Sequence, residues 1–188
     1  MNLIILAGGK SSRLGNDKAF VKFEGVPIIE RILSVLGTLF RKCIIVANTP
    51  EKFADLGCRL VADVYREVGP LGGLQAGLTA SDSELNLVTA CDMPLIKPEV
   101  VKYLISIKGE DAVVPVIGGF PEPLLAVYST RCLPVIEKMI RDGQYKISRL
   151  YDKVATKFID EKELREIDPE LLSFCNINTL DALKTHEK

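Results

Sequence analysis

Asn2-Leu3-Ile4-Ile5-Leu6-Ala7-Gly8-Gly9-Lys10-Ser11-Ser12-Arg13-Leu14-Gly15-Asn16-Asp17-Lys18 passes directly from a short apolar run into a loop rich in glycine, hydroxyls and cations. A run this short, with isoleucines at its centre, reads as a strand buried on both faces, the type found inside parallel sheets. Working outward, Pro27 fits the first turn of a helix whose Ile28, Ile29, Ile32, Leu33, Val35 and Leu36 recur near helical spacing until Gly37. Strands are predicted over residues 43–47, 59–62, 85–90 and 112–116. Helices are predicted after Pro50, over 71–80 and from Pro98 through Ile107. Alternation of this kind gives an α/β architecture of three layers, a mostly parallel sheet with helices on both faces. After Gly118-Gly119 the alternation weakens, with a strand over 123–128, a helix over 131–140 and a shorter mixture ending in a polar tail.

The 188 residues make one domain, 1–188, in which the part from about 120 to 188 is expected to act as a cap. Composition is ordinary for a globular chain at 47 % hydrophobic and 26 % charged, which excludes disordered and collagen-like classes. With 24 Lys+Arg against 25 Asp+Glu, no field of the whole chain gathers nucleic acid or an anionic membrane, so anion recognition has to be local. Such a length buries roughly 70 % of the unfolded chain's surface and needs no staple. Cys43, Cys58, Cys91, Cys132 and Cys175 are odd in number and contain no CxxC pair, against both a disulfide framework and structural zinc. They read as small buried hydrophobes. No stretch approaches the roughly 20 apolar residues that span a bilayer, and the first apolar run has no basic leader. A cytoplasmic, reduced, soluble protein is expected.

In open sheets of this class, ligands sit outside the carboxyl ends of the strands, so residues 8–18, Asn48, Asp63 and Asp92 form the candidate site. Gly8, Gly9 and Gly15 permit closely approaching backbone N–H groups, the donors that cradle phosphate. Arg13 offers a planar fork to phosphate oxygens and Lys18 a compact charge. The loop is not a P-loop, because the opening glycine of that motif falls on Ile4, and no Gly-x-Gly-x-x-Gly follows the strand. Asp92, held behind a buried strand and before Met93-Pro94, suits a hard divalent cation that takes one carboxylate and completes its shell with water and phosphates. Each acid also has a plainer reading, Asp92 as a capping turn residue and Asp63 as a surface turn acid.

The string from Leu6 to Leu33, with Leu6-Ala7-Gly8-Gly9, Ser11, Arg13, Gly15 and Asp17-Lys18-Ala19, resembles the opening of the nucleotidyltransferase superfamily that joins an NTP to a phosphorylated acceptor. Its particular form is similar to the molybdenum cofactor guanylyltransferases. Cys91-Asp92-Met93-Pro94-Leu95 resembles that family's metal-binding segment. Glu122-Pro123-Leu124-Leu125-Ala126-Val127-Tyr128 and Phe174-Cys175-Asn176-Ile177-Asn178-Thr179 are similar to further family segments.

The resemblance implies a Rossmann-like nucleotidyltransferase fold and transfer of GMP from GTP to the terminal phosphate of molybdopterin or its metal-loaded form, with Mg2+ as cofactor and release of pyrophosphate. It implies catalytic roles for Arg13, Lys18 and Asp92, nucleotide contacts from Leu6, Ala7, Gly8, Gly9, Lys18, Asp63 and Asp92, and metal binding by Asp92. It links Asn176 and Asn178 with the acceptor. An extended segment would point both of those amides one way, whereas Asn178 or Thr179 would equally cap a helix starting near Leu180. An asparagine near Asn48 contacts nucleotide in some relatives. Arg149 has two equal readings, a reach toward an acceptor phosphate or a solvated helix charge. Transient contact with molybdoenzymes or cofactor-insertion proteins is expected, without nucleic acid or membrane.

Three rivals stand beside this reading. A molybdopterin cytidylyltransferase tends to carry Leu-Ala-Ala-Gly where this chain has Leu6-Ala7-Gly8-Gly9. A sugar-phosphate or methylerythritol-phosphate nucleotidyltransferase leaves the Asn176 and Asn178 segment unexplained. A GTP-binding assembly adaptor leaves the joint presence of Arg13, Lys18 and Asp92 without a purpose.

Overall fold

The computed structural model describes residues 1–8, 18–65 and 67–178. Gly9 and Arg13 lie outside the described residues, as do Thr179 and the polar tail. In chain order the elements are β1 (Asn2–Leu6), a hairpin of β2 (Lys22–Phe23) and β3 (Val26–Pro27), α1 (Ile28–Leu36), β4 (Cys43–Ala47) and β5 (Arg59–Ala62). Then come α2 (Pro70–Ala80), β6 (Leu85–Ala90), α3 (Pro98–Ser106), β7 (Ala112–Ile117), β8 (Phe120–Pro121) and β9 (Leu125–Ser129). The chain continues through α4 (Leu133–Arg141), β10 (Thr156–Ile159) and α5 (Glu161–Arg165).

The main sheet runs in the order β10-β7-β9-β6-β1-β4-β5, with β8 paired to β7. β1 is buried along its whole length because it lies between two parallel neighbours, with Ile4 opposite Ile44 on one side and Val88 on the other. Its side chains alternate between two apolar layers. Leu3 and Ile5 pack in the layer that holds Ile28, Ile29 and Ile32 of α1 and Val100, Val101 and Leu104 of α3. Ile4 and Leu6 face the layer that holds Leu71 and Leu74 of α2 and Ile136 and Met139 of α4. The three-layer, mostly parallel α/β expectation is therefore met.

The weakened alternation after Gly118-Gly119 has a definite cause. Both glycines have positive φ, 57° and 81°, and form the two-residue turn between β7 and β8, a geometry that residues with a Cβ rarely adopt. The chain then returns as β9, antiparallel to both β6 and β7, so one strand in the middle of the sheet runs against its two neighbours. The helix expected over 131–140 instead opens with a 3-10 turn at Thr130–Cys132 and becomes α-helical at Leu133, where Pro134 fits the first turn.

The C-terminal segment is docked by one buried acid. Asp168 is fully buried, accepts from the Ser173 amide at 2.8 Å and is ion-paired with Lys97 Nζ at 2.7 Å. The Lys97 amide in turn donates to Ser173 Oγ at 3.0 Å, tying the segment to the start of α3. Burial alone pushes the Asp168 carboxyl up, but Lys97 and Ser173 outweigh it and hold the acid below the ordinary carboxylate range. Its stabilising contribution is therefore complete above about pH 4 and is lost as pH falls through the folded-state value. Asp168→Asn is expected to lower stability at pH 7 by about 1–3 kcal/mol. Urea unfolding at several pH values checks this, since the difference from wild type should shrink on acidification.

Candidate functional site

Four parallel strands in the order β6, β1, β4 and β5 bring the residues after each of them to one edge of the sheet. The Cys91 amide donates to Leu6 O at 3.1 Å, the Ala7 amide to Val46 O at 2.8 Å and the Asp63 amide to Ala47 O at 3.3 Å. These bonds line up Asp92, Gly8, Asn48 and Asp63 across the edge. They are the positions that strand-end reasoning selects, now set side by side by backbone pairing.

Lys18 opens a 3-10 turn, Lys18–Phe20, anchored by the fully buried Ala19 and by Phe20 stacked on Phe53 with ring centroids 5.1 Å apart. Its Nζ lies 3.3 Å from Asp92 Oδ2. The expected convergence of Lys18 and Asp92 is thus found, while Arg13 and Gly9 of the same loop lie outside the described residues. The two side chains are 27 % and 19 % exposed. A pair this accessible is worth little to folding and is free to exchange partners.

Arg31, on α1, was not singled out by sequence reasoning. Its Nε donates to Pro94 O at 2.8 Å, its Nη1 to Glu24 Oε2 at 3.0 Å, and its guanidinium lies 5.3 Å from the centre of the Phe23 ring. It thereby ties the β2–β3 hairpin to the loop that carries Asp92. Nothing in the local pattern distinguishes it from a solvated helix charge.

Asp63 accepts from the Tyr65 amide at 2.9 Å, the bond of an acid that shapes its own turn. The same turn presses on α2, since a Cβ on Gly72 would sit 3.0 Å from Asp63 Oδ1 and 2.8 Å from Tyr65 O. Glycine at that place lets the helix start approach the acid. A groove of about 530 Å³ runs beside β5 and α2, lined by Val61, Val64, Tyr65, Gln75 and Thr79 among others, and includes neither Lys18 nor Asp92.

Asn48 gains weight from the structure. Among the described residues its Oδ1 is buried without a hydrogen-bond partner, and its carboxamide lies 3.8 Å from where a Cβ on Gly8 would be. A buried orphan acceptor is costly unless something arrives to satisfy it. Its sequence signal was position alone, directly after β4.

The segment that carries Asn176 and Asn178 also meets this edge. The Ile177 amide donates to Asp92 O at 2.9 Å, so Asn176 and Asn178 flank a backbone bond to the acid's own carbonyl. The segment is not extended, however. It turns helical at Ile177, with Asn176 half-buried just before the turn and Asn178 exposed within it. Asn178 lies inside the helical turn and Asn176 ahead of it, so the extended alternation on which a shared direction of the two amides rests is not met. The helix also begins earlier than the expected start near Leu180.

On the other flank, the Ala90 amide donates to Leu124 O at 3.1 Å and places the Glu122-Pro123-Leu124 segment beside the end of β6. Tyr128 donates its hydroxyl to Pro123 O at 3.1 Å and accepts from Tyr151 at 2.9 Å. Burial pushes the Tyr128 phenol well up and Tyr151 to about 12, so both stay neutral and hold the segment as hydrogen-bonding groups. Burial also raises the Glu122 carboxyl.

Among the described residues no group of three or more His, Cys, Asp and Glu is placed to hold a metal ion. A single carboxylate at the strand ends still fits a hard divalent cation, which needs only one or two protein oxygens. Among the described residues no helix is long and apolar enough to cross a membrane.

The family model for the MobA-like NTP transferase domain matches residues 3–157. The chain belongs to the MobA-like NTP transferase family. A molybdenum cofactor guanylyltransferase of Desulfosudis oleivorans is 41 % identical over 98 % of this chain and 93 % of its own length. A probable molybdenum cofactor guanylyltransferase of Pelotomaculum thermopropionicum is 37 % identical over 94 % of this chain and 86 % of its own. The crystal structure of molybdopterin-guanine dinucleotide biosynthesis protein A from Archaeoglobus fulgidus superposes with a TM-score of 0.81 at 32 % identity, covering 98 % of this chain and 96 % of that one. As a member of this family the chain is a nucleotidyltransferase, and such enzymes typically use a divalent metal.

Asn48→Ala removes a buried acceptor that has no partner among the described residues, so folding stability is expected to stay level or rise slightly. Binding of a nucleoside triphosphate should weaken about 3- to 10-fold, the scale of one hydrogen bond. Calorimetric titration together with thermal unfolding of the same variant reads both effects.

Proposed function

We propose that this chain transfers GMP from GTP to the terminal phosphate of molybdopterin or Mo-molybdopterin, forming a guanine dinucleotide cofactor and releasing pyrophosphate. The observation that carries the reading is the Lys18–Asp92 pair at the carboxyl end of β6, in a chain related along nearly its whole length to molybdenum cofactor guanylyltransferases.

In this reading an acceptor phosphate oxygen attacks the α-phosphorus of GTP, and the bond to the bridging oxygen of pyrophosphate breaks on the opposite side. A phosphate monoester is already largely ionised near neutrality, its second pKa being about 6, so the attack needs no side-chain base. That suits a sequence with one histidine, His186, in its polar end. The chain's work is to position the two substrates in line and to balance charge growing on the leaving group.

Lys18 and Arg13 neutralise phosphate oxygens, and the backbone from Leu6 through Ala7 and Gly8 to Gly9 approaches the triphosphate. Asp63 and Asn48 lie on the nucleotide side. Asp92 would hold Mg2+, which when bound polarises phosphate oxygens and stabilises the departing pyrophosphate. Asn176, beside the Ile177–Asp92 backbone bond, faces the acceptor, with Asn178 as an exposed second contact. The whole chain acts as one domain whose part from about 120 onward serves the acceptor. Its place of action is the cytoplasm, with transient delivery contacts to molybdoenzymes or cofactor-insertion proteins.

Two measurements test the reading. Supplying molybdopterin and Mg2+ with each NTP in turn should yield guanine dinucleotide almost alone, and dominant CMP incorporation would replace the base assignment with cytosine. Lys18→Ala should lower turnover about 10²-fold or more, and Asp92→Asn should raise the Mg2+ concentration needed for half-maximal rate. Folded variants with wild-type rates and magnesium titrations would remove both residues from the mechanism.

A further inference from the structure

The five cysteines are all unbridged. Cys91 and Cys132 are buried, as expected of small hydrophobes, but Cys43, Cys58 and Cys175 are only half-buried. Two of these three meet. In the parallel pairing of β4 with β5, Ile44 stands opposite Arg59, so the residues one step earlier, Cys43 and Cys58, stand opposite each other at the amino ends of the strands. Both pack against the same apolar layer, so their side chains point to the same face.

Neighbouring strands lie about 4.8 Å apart, inside the range of Cα separations that a disulfide spans. The Cys43 thiol donates toward the Cys58 sulfur, and the Cys58 thiol in turn donates to Leu56 O at 3.5 Å. This sharing separates the two thiols chemically. The bond to Cys58 and burial keep the Cys43 proton in place, whereas the same bond favours the Cys58 thiolate against the opposing effect of burial. The more readily ionised sulfur is the better placed to attack, and the more tightly protonated one to follow.

We propose that Cys43 and Cys58 form a dithiol modification site that reacts with low-molecular-weight disulfides, Cys58 attacking first and Cys43 resolving. In the first step the Cys58 thiolate bonds to one sulfur of the incoming disulfide and expels the other half as a thiolate, which takes up the proton that Cys58 has lost. In the second, Cys43 gives up its proton, bonds to the Cys58 sulfur and expels the remaining half. Two protein thiols and one disulfide become one Cys43–Cys58 bond and two small thiols. The link would join edge strand β5 to β4 at the end opposite Asn48 and Asp63. It is independent of the guanylyl transfer proposed above, because neither sulfur belongs to that site.

The test uses the reduced full-length chain, oxidised glutathione as the probe, and an acid quench followed by alkylation and mass spectrometry. Wild type should lose two alkylatable thiols, retain no glutathione and yield a peptide linked through Cys43 and Cys58. Cys43→Ser should accumulate a glutathione adduct on Cys58. Cys58→Ser should react at least ten times more slowly than wild type. Wild type that keeps five thiols, that holds glutathione on Cys58 without a link, or that bridges through Cys91, Cys132 or Cys175 overturns the proposal. So does a Cys58→Ser variant that reacts at the wild-type rate. Circular dichroism verifies that each variant is folded, and if one is not, the wild-type peptide map decides alone.

Discussion

Backbone pairing at the end of β1 is the constraint on which the other features rest. Leu6 O accepts from the Cys91 amide while the Ala7 amide donates to Val46 O, so the chain leaving β1 is fixed to both neighbouring strands at the same level. Buried peptide groups must be paired, and in a parallel sheet both sides of a central strand are satisfied only by neighbours in one register. That register sets Asp92, Gly8, Asn48 and Asp63 along one edge. The apolar alternation of β1 supplies the rest of the specification, since a slip by one residue would exchange the α1/α3 layer for the α2/α4 layer.

The edge is completed by chain segments far away in sequence. Ile177 reaches Asp92 O, and Asp168 holds the same segment to α3 through Lys97 and Ser173. Leu124 reaches Ala90 from the other flank. A carboxylate with none of its charge in solvent is tolerable here because a lysine and a backbone amide replace the lost water. The acid that orders the C-terminal segment is thus separate from the acid paired with Lys18.

Resting interactions at the edge also differ in how firmly they are held. Arg31 makes a short bond to Pro94 O and packs over Phe23, so the hairpin and the Asp92 loop are tied to each other. Lys18 and Asp92 share one longer, accessible contact. Asn48 keeps a buried oxygen without a partner among the described residues. A rigid frame carrying exchangeable or unmet polar groups is the arrangement expected of a site that completes its hydrogen bonding with a ligand.

Local periodicity and turn chemistry were enough to determine β1, β4, β5, β6, β7 and β9, most helices and the layered α/β class, but not β10 or the short β2, β3 and β8, and to select Lys18, Asp63 and Asp92 as residues leaving strands or loops. Those signals are carried within a few residues, because burial on both faces of a strand and on one face of a helix imposes its own pattern. Tertiary structure decided the antiparallel course of β9, the helical turn that separates Asn176 from Asn178, the clamp around Asp168, the weight of Asn48 and the meeting of Cys43 with Cys58. None of these has a local signature. Each depends on which distant segments pair and in what register, and Lys18 and Asp92, 74 positions apart, become partners only after the sheet has brought their strands' ends together.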